Sequence, residues 1–235
     1  MRSVQIHHRT DIGKVRTNNE DAVACDPGVP IAVLADGMGG LDAGEVAAHV
    51  AVHTVLEHCT ASQRSADELR VAIVAANGEV HALNAVRREQ RMGTTVVAWL
   101  AIGEDRCAVA HVGDSRAYLW RDHHLTRITS DHSMVQQLVE AGMMTEAQAA
   151  RSPNRNIVTR ALGLDETVQV DVVEHDWLPG DRWLLCSDGL TDLVSNAEIA
   201  RRFRDNPDPD ALLERLIATA NELGGKDNIA VMLIA

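Results

Sequence analysis

The sequence of 235 residues is poor in aromatic residues and has no long apolar run. Phe, Trp and Tyr together make up 3% of the chain, so the core has to be built mainly from Val, Leu, Ile and Ala. Apolar runs such as Val96 to Ile102 are far shorter than the roughly 18 residues that a transmembrane helix needs. Residues 1–11 also lack the apolar segment of a signal peptide. We therefore expect no membrane association.

The four cysteines lie far apart and include no CxxC pair. This spacing predicts buried thiols in a reducing compartment, for which the cytoplasm is the default. The formal net charge of −12 argues against a nucleic-acid partner, because the phosphate backbone is itself negative. The chain contains no GxxxxGK[ST] loop, which excludes a P-loop nucleotide site. The surplus acids either solubilise the protein or bind divalent cations, and composition leaves both open.

The order of predicted elements indicates the fold class. Helical periodicity comes in consecutive pairs, whereas strand-like segments come in runs, and this order favours antiparallel sheets with helices outside over a βαβ array. The predicted starts of the four long helices are Asp42, Ser65, Ser195 and Asp208. Residues 132–162 are predicted to be an insertion of short helices and loop that forms a flap beside a site. We expect residues 1–235 to form one domain.

The stretch Ile31–Gly40 is the first indication of a site. Its apolar residues predict a buried strand that ends at Asp36, and the glycines at 37, 39 and 40 predict a tight turn. A lone carboxylate beside a buried strand needs a partner, because unpaired charge is costly away from water. A hard cation suits it, since Gly37 has no side chain to keep a cation from the backbone oxygen.

Three further aspartates share this context, namely Asp114, Asp188 and Asp227. Each alone is typical of a turn or a helix cap, but four at strand ends predict a cluster at one edge of the sheets. Like charges that close would repel strongly unless a cation lay among them. Only oxygen ligands are offered, which favours Mg²⁺ or Mn²⁺ over zinc. His111 lies in a predicted strand and is expected to pack there and not to bind metal.

Arg16 stands in a polar loop, four and five residues before Glu20 and Asp21. One interpretation is a surface ion pair with one of these acids, which contributes little. The other is a guanidinium that nearby acids hold in place to bind an oxyanion, ideally phosphate. The loop sequence alone leaves both interpretations open.

Seven motifs then occur in order along the chain. They are Gly13-x-x-Arg16-x-x-Asn19-Glu20-Asp21, Ala35-Asp36-Gly37-Met38-Gly39-Gly40, Gly93-Thr94-Thr95, Val112-Gly113-Asp114-Ser115-Arg116, Ser130-Asp131-His132-Ser133, Cys186-Ser187-Asp188-Gly189-Leu190 and Gly225-Lys226-Asp227-Asn228. Together they resemble the bacterial metal-dependent Ser/Thr protein phosphatases of the type 2C (PPM) family. The resemblance runs from about Thr10 to Ile234.

The resemblance implies an α+β fold: a central β-sandwich of two antiparallel sheets, flanked by a helix pair on each outer face, with a two-metal cleft at one end. It also implies roles for individual residues. Asp36 would bridge both metals, the Gly37 carbonyl would bind one of them, and Asp188 and Asp227 would bind the other. Glu20 and Asp21 would hold the site directly or through water. Asp114, with Asp192 as a lesser candidate, would bind a third, weaker metal, and Arg16 would bind phosphate.

The implied reaction is hydrolysis of phosphoserine or phosphothreonine in proteins. A hydroxide that bridges two Mn²⁺ or Mg²⁺ ions attacks phosphorus, and the metals and Arg16 neutralise the developing charge. Met38 stands where eukaryotic relatives carry a histidine proposed as the general acid, so we expect metal-bound water in that role. The implied partners are phosphorylated proteins and a bacterial Ser/Thr kinase that the enzyme opposes. We expect a monomer.

Three rival interpretations were weighed. A cysteine-dependent phosphatase needs an Arg six residues after its Cys, and no cysteine here has one. An aspartyl-phosphate enzyme needs a strand followed by DxD, but the DxD at Asp208 is typical of a helix cap. A catalytically inactive relative that only binds phosphoproteins would be indicated by loss of Asp36, Asp188 or Asp227, and all three are present.

Overall fold

The protein is described by a computed structural model that covers residues 4–26, 28–39, 43–61, 64–86 and 91–235. Its strands are β1 (Ile6–Asp11), β2 (Asp21–Asp26), β3 (Ile31–Gly39), β4 (Met92–Thr94), β5 (Val96–Ala101), β6 (Arg106–Val112), β7 (Arg116–Arg121), β8 (His124–Arg127), β9 (Asp171–Asp176), β10 (Arg182–Cys186) and β11 (Ile229–Ile234). Its helices are α1 (Ala43–Ala61), α2 (Ala66–Val86), α3 (Met134–Glu140), α4 (Glu146–Ala149), α5 (Asp188–Thr191), α6 (Asn196–Asp205) and α7 (Pro209–Glu222).

The strands form two sheets that pack face to face. The first sheet has the order β1-β11-β10-β7-β8, and the second has the order β2-β3-β5-β6-β9, with β4 paired to the end of β3. Each of these strand pairings is antiparallel. Helices α1 and α2 cover the second sheet, and α6 and α7 cover the first. The predicted α+β sandwich is confirmed.

The central strands are apolar on both faces, as the sequence of β5 and β11 illustrates. All six residues of each are buried, because one face meets the other sheet and the opposite face lies under a helix pair. Between the sheets, Trp99 and Trp183 are fully buried with ring centroids 6.4 Å apart, and alanine, valine and leucine fill most of the remaining space.

The helix caps follow local sequence rules. Ser195 and Asp208 accept hydrogen bonds from backbone N–H groups three residues on, and Pro209 occupies the first position of α7, where its missing N–H costs nothing. Thr145 and Gln148 form a reciprocal capping box at α4. Among the described helices, none has the length and apolar composition needed to cross a membrane.

Two local predictions were wrong at the ends of strands. The chain does not turn at Gly37, because β3 continues to Gly39 and pairs with β4, which supplies the hydrogen-bonding partner that a turn would otherwise replace. After β10 the chain forms the short helix α5, where a simple turn was expected. The remaining glycine of that motif, Gly40, and the predicted cap Asp42 lie outside the described residues.

Candidate active site

An acidic cavity of about 360 Å³ opens at one end of the sandwich. It lies where β3 and β10 end and β11 begins, so it draws on both sheets. Its lining includes seven of the nine residues predicted to bind metal or phosphate, namely Arg16, Glu20, Asp36, Gly37, Asp114, Asp188 and Asp227. Residues far apart in sequence therefore converge on one space.

Asp36 lies near the end of β3, and Thr94 and Thr95, which lie beside it in space, fix its backbone. Its N–H donates to Thr95 Oγ1 at 3.1 Å, and its carbonyl accepts from Thr95 N at 2.9 Å and from Thr94 Oγ1 at 2.8 Å. Gly37, the next residue, is packed so closely that a Cβ would lie 2.1 Å from the Gly44 carbonyl oxygen. The carboxylate is thus presented from a rigid backbone.

Asp188 is the first residue of α5, directly after Ser187. The Ser187 hydroxyl does not cap this helix; it donates to Asp21 Oδ2 at 2.7 Å and accepts from Ala230 N at 2.9 Å. One buried hydroxyl therefore joins β2, β10 and β11 beside the cavity.

Asp21 does not line the cavity but lies behind it, paired across the sheet with Asp36. Its side chain is buried, and Oδ1 has no hydrogen-bond partner among the described residues. Burial raises the pKa of Asp21 above its ordinary value, an effect that the Ser187 hydrogen bond opposes.

Burial and mutual repulsion dominate the electrostatics of the cluster. Burial raises the pKa of Asp36 well above its usual range, and the charges of Asp21, Asp188, Asp114 and Asp227 raise it further. The pKa of Asp188 is raised for the same reasons, with burial first and Asp114 next. Without a cation, this arrangement of acids is electrostatically unfavourable.

Arg16 reaches the cavity from the loop before β2, but its partner is neither of the acids that the sequence offered. Its guanidinium donates to Asp227 Oδ2 at 2.8 Å, across 211 residues of sequence. The Arg16 side chain remains 51% exposed at the rim. This places a guanidinium, a group chemically suited to bind phosphate, directly beside the cluster of acids.

Glu20 and Asp114 both line the cavity, and they come from different parts of the fold. Glu20 lies near the first turn of α1, since a Cβ on Gly44 would meet Glu20 Oε2 at 2.3 Å. Asp114, in the turn between β6 and β7, is buried, and burial followed by the charge of Asp131 raises its pKa. Asp114 and Asp188 also line a second cavity of about 420 Å³.

That second cavity contains Asp192, the lesser candidate for a third metal. Arg155 contacts Asp192, with Arg155 Nε 3.3 Å from Asp192 Oδ2. Arg155 belongs to the predicted flap, whose residues Asn156 and Val158 line the acidic cavity. The segment 132–162 therefore lies beside the site and contributes to its wall.

Sequence reasoning assigned no role to three residues that hold the site together. Thr95, Ser187 and Asn228 all appear in the motifs, yet their functions depend on partners distant in sequence. Asn228, for example, accepts from Glu20 N at 2.8 Å and donates to the carbonyls of Ile12 and Asn18. The sequence did hold a signal for each of them: Ser187 and Asn228 are small polar residues next to a predicted site acid, and Thr95 belongs to the motif Gly93-Thr94-Thr95.

Comparison with known proteins identifies the family. Residues 13–233 match the family model described as Protein phosphatase 2C. The serine/threonine phosphatase stp of Listeria monocytogenes is 35% identical, over 96% of this chain and 93% of that protein. The Mycobacterium tuberculosis serine/threonine phosphatase PstP/Ppp superposes with a TM-score of 0.91 at 38% identity, covering 98% and 97% of the two chains. A PstP catalytic domain in complex with two manganese ions gives a TM-score of 0.88 at 36% identity, with the same coverage. The chain therefore belongs to the protein phosphatase 2C family.

Proposed function

We propose that the acidic cavity is where this metal-dependent protein serine/threonine phosphatase binds its divalent cations and its phosphorylated substrate. The observation that carries the proposal is the convergence of Asp36, Asp188 and Asp227 on one cavity with Arg16 at its rim. In this proposal Asp36 would contribute to holding both cations, the Gly37 carbonyl would hold one of them, and Asp188 and Asp227 would hold the other. The remaining acids have lesser assignments: Glu20 and Asp21 hold the site directly or through water, and Asp114, with Asp192 as a lesser candidate, binds a third and weaker cation.

The residues present fit a hard divalent cation on three grounds. The donors are carboxylate and carbonyl oxygens, which Mn²⁺ and Mg²⁺ prefer. Asp21 Oδ1 is buried without a hydrogen-bond partner among the described residues, so the cluster has ligand capacity that the protein itself does not use. Burial first, and then repulsion among the acids, raises the pKa values of Asp36 and Asp188, and a bound cation would offset both effects.

When bound, two such cations supply a water that is deprotonated near neutral pH and positive charge for the phosphate oxygens. The protein contributes the guanidinium of Arg16, which binds the equatorial phosphate oxygens and neutralises their charge as the phosphoryl group transfers. In the free protein Asp227 holds this guanidinium at the rim by a 2.8 Å hydrogen bond. Binding of phosphate then requires no large movement of Arg16.

In this proposal water donates the proton to the leaving alkoxide. Met38 lines the cavity at the position that the eukaryotic relatives fill with histidine. A thioether has no acidic proton, so this side chain does not serve as general acid. This part of the mechanism is therefore assigned to solvent in the site.

The substrates are phosphorylated proteins, and we propose a Ser/Thr kinase of the same cell as the opposing enzyme. Supporting a cytoplasmic setting, the four cysteines are unpaired, and three of them are buried. We further propose that residues 1–235 form one phosphatase domain with residues 132–162 as its flap, acting as a monomer. The inactive-relative alternative is disfavoured, since Arg16 and the three central aspartates are arranged around one cavity.

The test is hydrolysis of a phosphothreonine peptide by the unsubstituted protein and by Asp188→Asn, each with and without Mn²⁺. Asp188 is preferred to Asp227 because Asp227 also holds Arg16. We expect Asp188→Asn to lower the Mn²⁺-dependent rate by about 100-fold or more, and to remove one bound Mn²⁺ in calorimetry. Asp205→Asn, an exposed acid at the end of α6, is the matched control and should change neither. Equal rates for Asp188→Asn and the unsubstituted protein would overturn the proposal.

A further inference from the structure

A second cluster of metal-ligating side chains lies outside the acidic cavity. The rings of His111 and His132 stack with centroids 4.5 Å apart, and one ligand atom from each lies within 4.8 Å of an Asp171 carboxylate oxygen. Arg160 already supplies a cation here, since its guanidinium donates to Asp171 Oδ1 at 2.8 Å and lies 3.0 Å from His132 Nε2. His111 Nε2 is engaged by the Ser130 carbonyl at 2.8 Å. The cluster is therefore occupied by the protein's own groups.

The hydrogen bonds of His132 determine its protonation. The backbone N–H of Gly113 can only donate, and it lies 3.0 Å from His132 Nδ1, so Nδ1 must carry a lone pair. The proton of the neutral ring is then on Nε2, where Asp171 Oδ2 at 3.3 Å can accept it. Arg160 Nη1, at 3.0 Å from Nε2, is itself only a donor and therefore forms no hydrogen bond with this tautomer. Burial lowers the pKa of His132 to about 4, so the neutral ring is the form present near neutral pH.

His132 links both ends of the flap to the turn that carries Asp114. Its own N–H donates to the Gly113 carbonyl at 2.9 Å, in return for the bond from Gly113 N–H to Nδ1. Its carbonyl accepts from Thr159 N at 2.8 Å, which brings the far end of the flap to the same point. The beginning and the end of the flap therefore meet at His132, which is bonded to Gly113, one residue before Asp114.

Gly113 cannot shift freely to accommodate a change at this point. Its φ is +106°, a conformation that favours glycine, and a Cβ there would lie 2.6 Å from Thr95 Cβ. Thr95 in turn accepts from Asp36 N and shares a 2.7 Å hydrogen bond with the Ser115 hydroxyl. The turn is thus held between Thr95 on one side and His132 on the other.

We propose that His132 is a positioning residue whose Nδ1 holds the base of the flap against Gly113 and thereby sets the placement of Asp114 in the site. The inference rests on the proposed function, in which Asp114 binds a third and weaker divalent cation. It predicts that the Nδ1 contact matters for this cation, whereas the Nε2 contact with Asp171 does not.

The two amide side chains separate these contacts. In His132→Asn the side-chain oxygen can replace Nδ1 as acceptor, whereas in His132→Gln the amide extends toward the position of Nε2. We expect His132→Asn to keep slow exchange of the Gly113 amide proton and Mn²⁺ binding like that of the unsubstituted protein. His132→Gln should lose protection at Gly113 and weaken the third Mn²⁺ site by about 10-fold or more, with the two tighter sites unchanged in calorimetry. Asp171→Asn should resemble the unsubstituted protein.

Several outcomes overturn the inference while leaving the two-cation site intact. The first is that His132→Asn and His132→Gln bind Mn²⁺ at the third site with equal affinity. The second is that Asp171→Asn weakens Mn²⁺ binding at the third site as much as His132→Gln does. The third is that the unsubstituted protein has no third Mn²⁺ site. Absence of the two tighter sites would instead refute the proposed function. Long-range ¹H–¹⁵N spectra of the unsubstituted protein give a measurement that needs no variant. A protonated Nδ1 on His132 at neutral pH overturns the inference, and an unprotonated one supports it.

Discussion

Replacement of Asn228 by alanine should impair the function of Arg16 indirectly, by releasing the loop that carries it. Asn228 is 5% exposed, and its side-chain amide forms hydrogen bonds with the loop that carries Arg16. Its oxygen accepts from Glu20 N at 2.8 Å, and its nitrogen donates to the carbonyls of Ile12 at 3.0 Å and Asn18 at 2.9 Å. Because these partners lie on both sides of Arg16, Asn228 fixes the span of the loop between them.

The magnitude follows from these three hydrogen bonds. Each bond contributes about 0.5–1.5 kcal/mol net, and the loss would be larger for any freed group that stayed dry. The loop is open to water, with Val15 65% exposed, so the carbonyls of Ile12 and Asn18 regain hydration when released. We therefore expect Asn228→Ala to lower the free energy of unfolding by about 1.5–2 kcal/mol. Loss of a fixed Arg16 should lower kcat/KM for a phosphothreonine peptide by about 10- to 30-fold.

The assay is a double-mutant cycle with Arg16→Ala. If Asn228 acts through Arg16, Asn228→Ala should change kcat/KM by less than about twofold in the Arg16→Ala background. Asn206→Ala is the matched control, since Asn206 binds only the Arg202 carbonyl at the end of α6 among the bonds described, and it should leave kcat/KM unchanged. A full 10-fold effect of Asn228→Ala in the Arg16→Ala background would refute the reasoning. So would a parallel loss of Mn²⁺ affinity, because Asn228 would then act through Asp227.

Two further predictions concern the cations and the close packing at the site. Mn²⁺ at 100 times its dissociation constant should stabilise the protein by about 2.7 kcal/mol for each site, which corresponds to a rise in Tm of about 5–11 °C for each site relative to the protein in EDTA. Asp36→Asn should abolish most of this rise. Equal Tm values with EDTA and with Mn²⁺ would contradict the prediction. Gly37→Ala should destabilise the protein by about 2 kcal/mol or more, because its Cβ would lie 2.1 Å from the Gly44 carbonyl oxygen. Gly78→Ala in α2, where nothing lies within 4 Å of the new Cβ, should instead stabilise by about 0.5–1 kcal/mol in the same denaturant titration.

The sequence predicted those features that depend on local pattern. The antiparallel strands, the helix pairs outside them and the caps at Ser195 and Asp208 follow from periodicity and from side chains within a few residues, whereas the sandwich of two sheets was implied by the family resemblance. The turn expected at Gly37 failed for a reason that no local pattern contains. The three glycines permit a turn, but β4, more than fifty residues away, offers Thr94 and Met92 as partners and keeps the chain extended.

The partner of Arg16 shows the same limit within the site. Proximity in sequence suggested Glu20 or Asp21, whereas the guanidinium pairs with Asp227 near the other end of the chain. Asp21 is unsuitable because β2 buries it behind Asp36. Which acids lie beside one another is decided by strand register, and register is a property of the assembled sheets.

A comparison of Asp36 with Asp131 separates acids that serve the fold from acids held ready for a cation. Asp131 is also mostly buried, but Arg116 and Arg127 both donate to its carboxylate and neutralise it. The groups that hold Asp36 and its neighbour Asp21 are instead uncharged: Thr94 and Thr95 bind the Asp36 backbone, and the Ser187 hydroxyl donates to the Asp21 carboxylate.

Neutral anchors fix geometry without cancelling charge. Among the described residues that line the acidic cavity, Arg16 is the one cationic side chain, and it pairs with Asp227 at the rim and not with Asp36 or Asp188. The protein thus does not balance the negative charge of these carboxylates, so burial and mutual repulsion raise their pKa values, and divalent cations are the ligands that would balance that charge. A lysine placed next to Asp36 would stabilise the metal-free fold by the same electrostatics, and for that reason it would compete with the cations that the reaction requires.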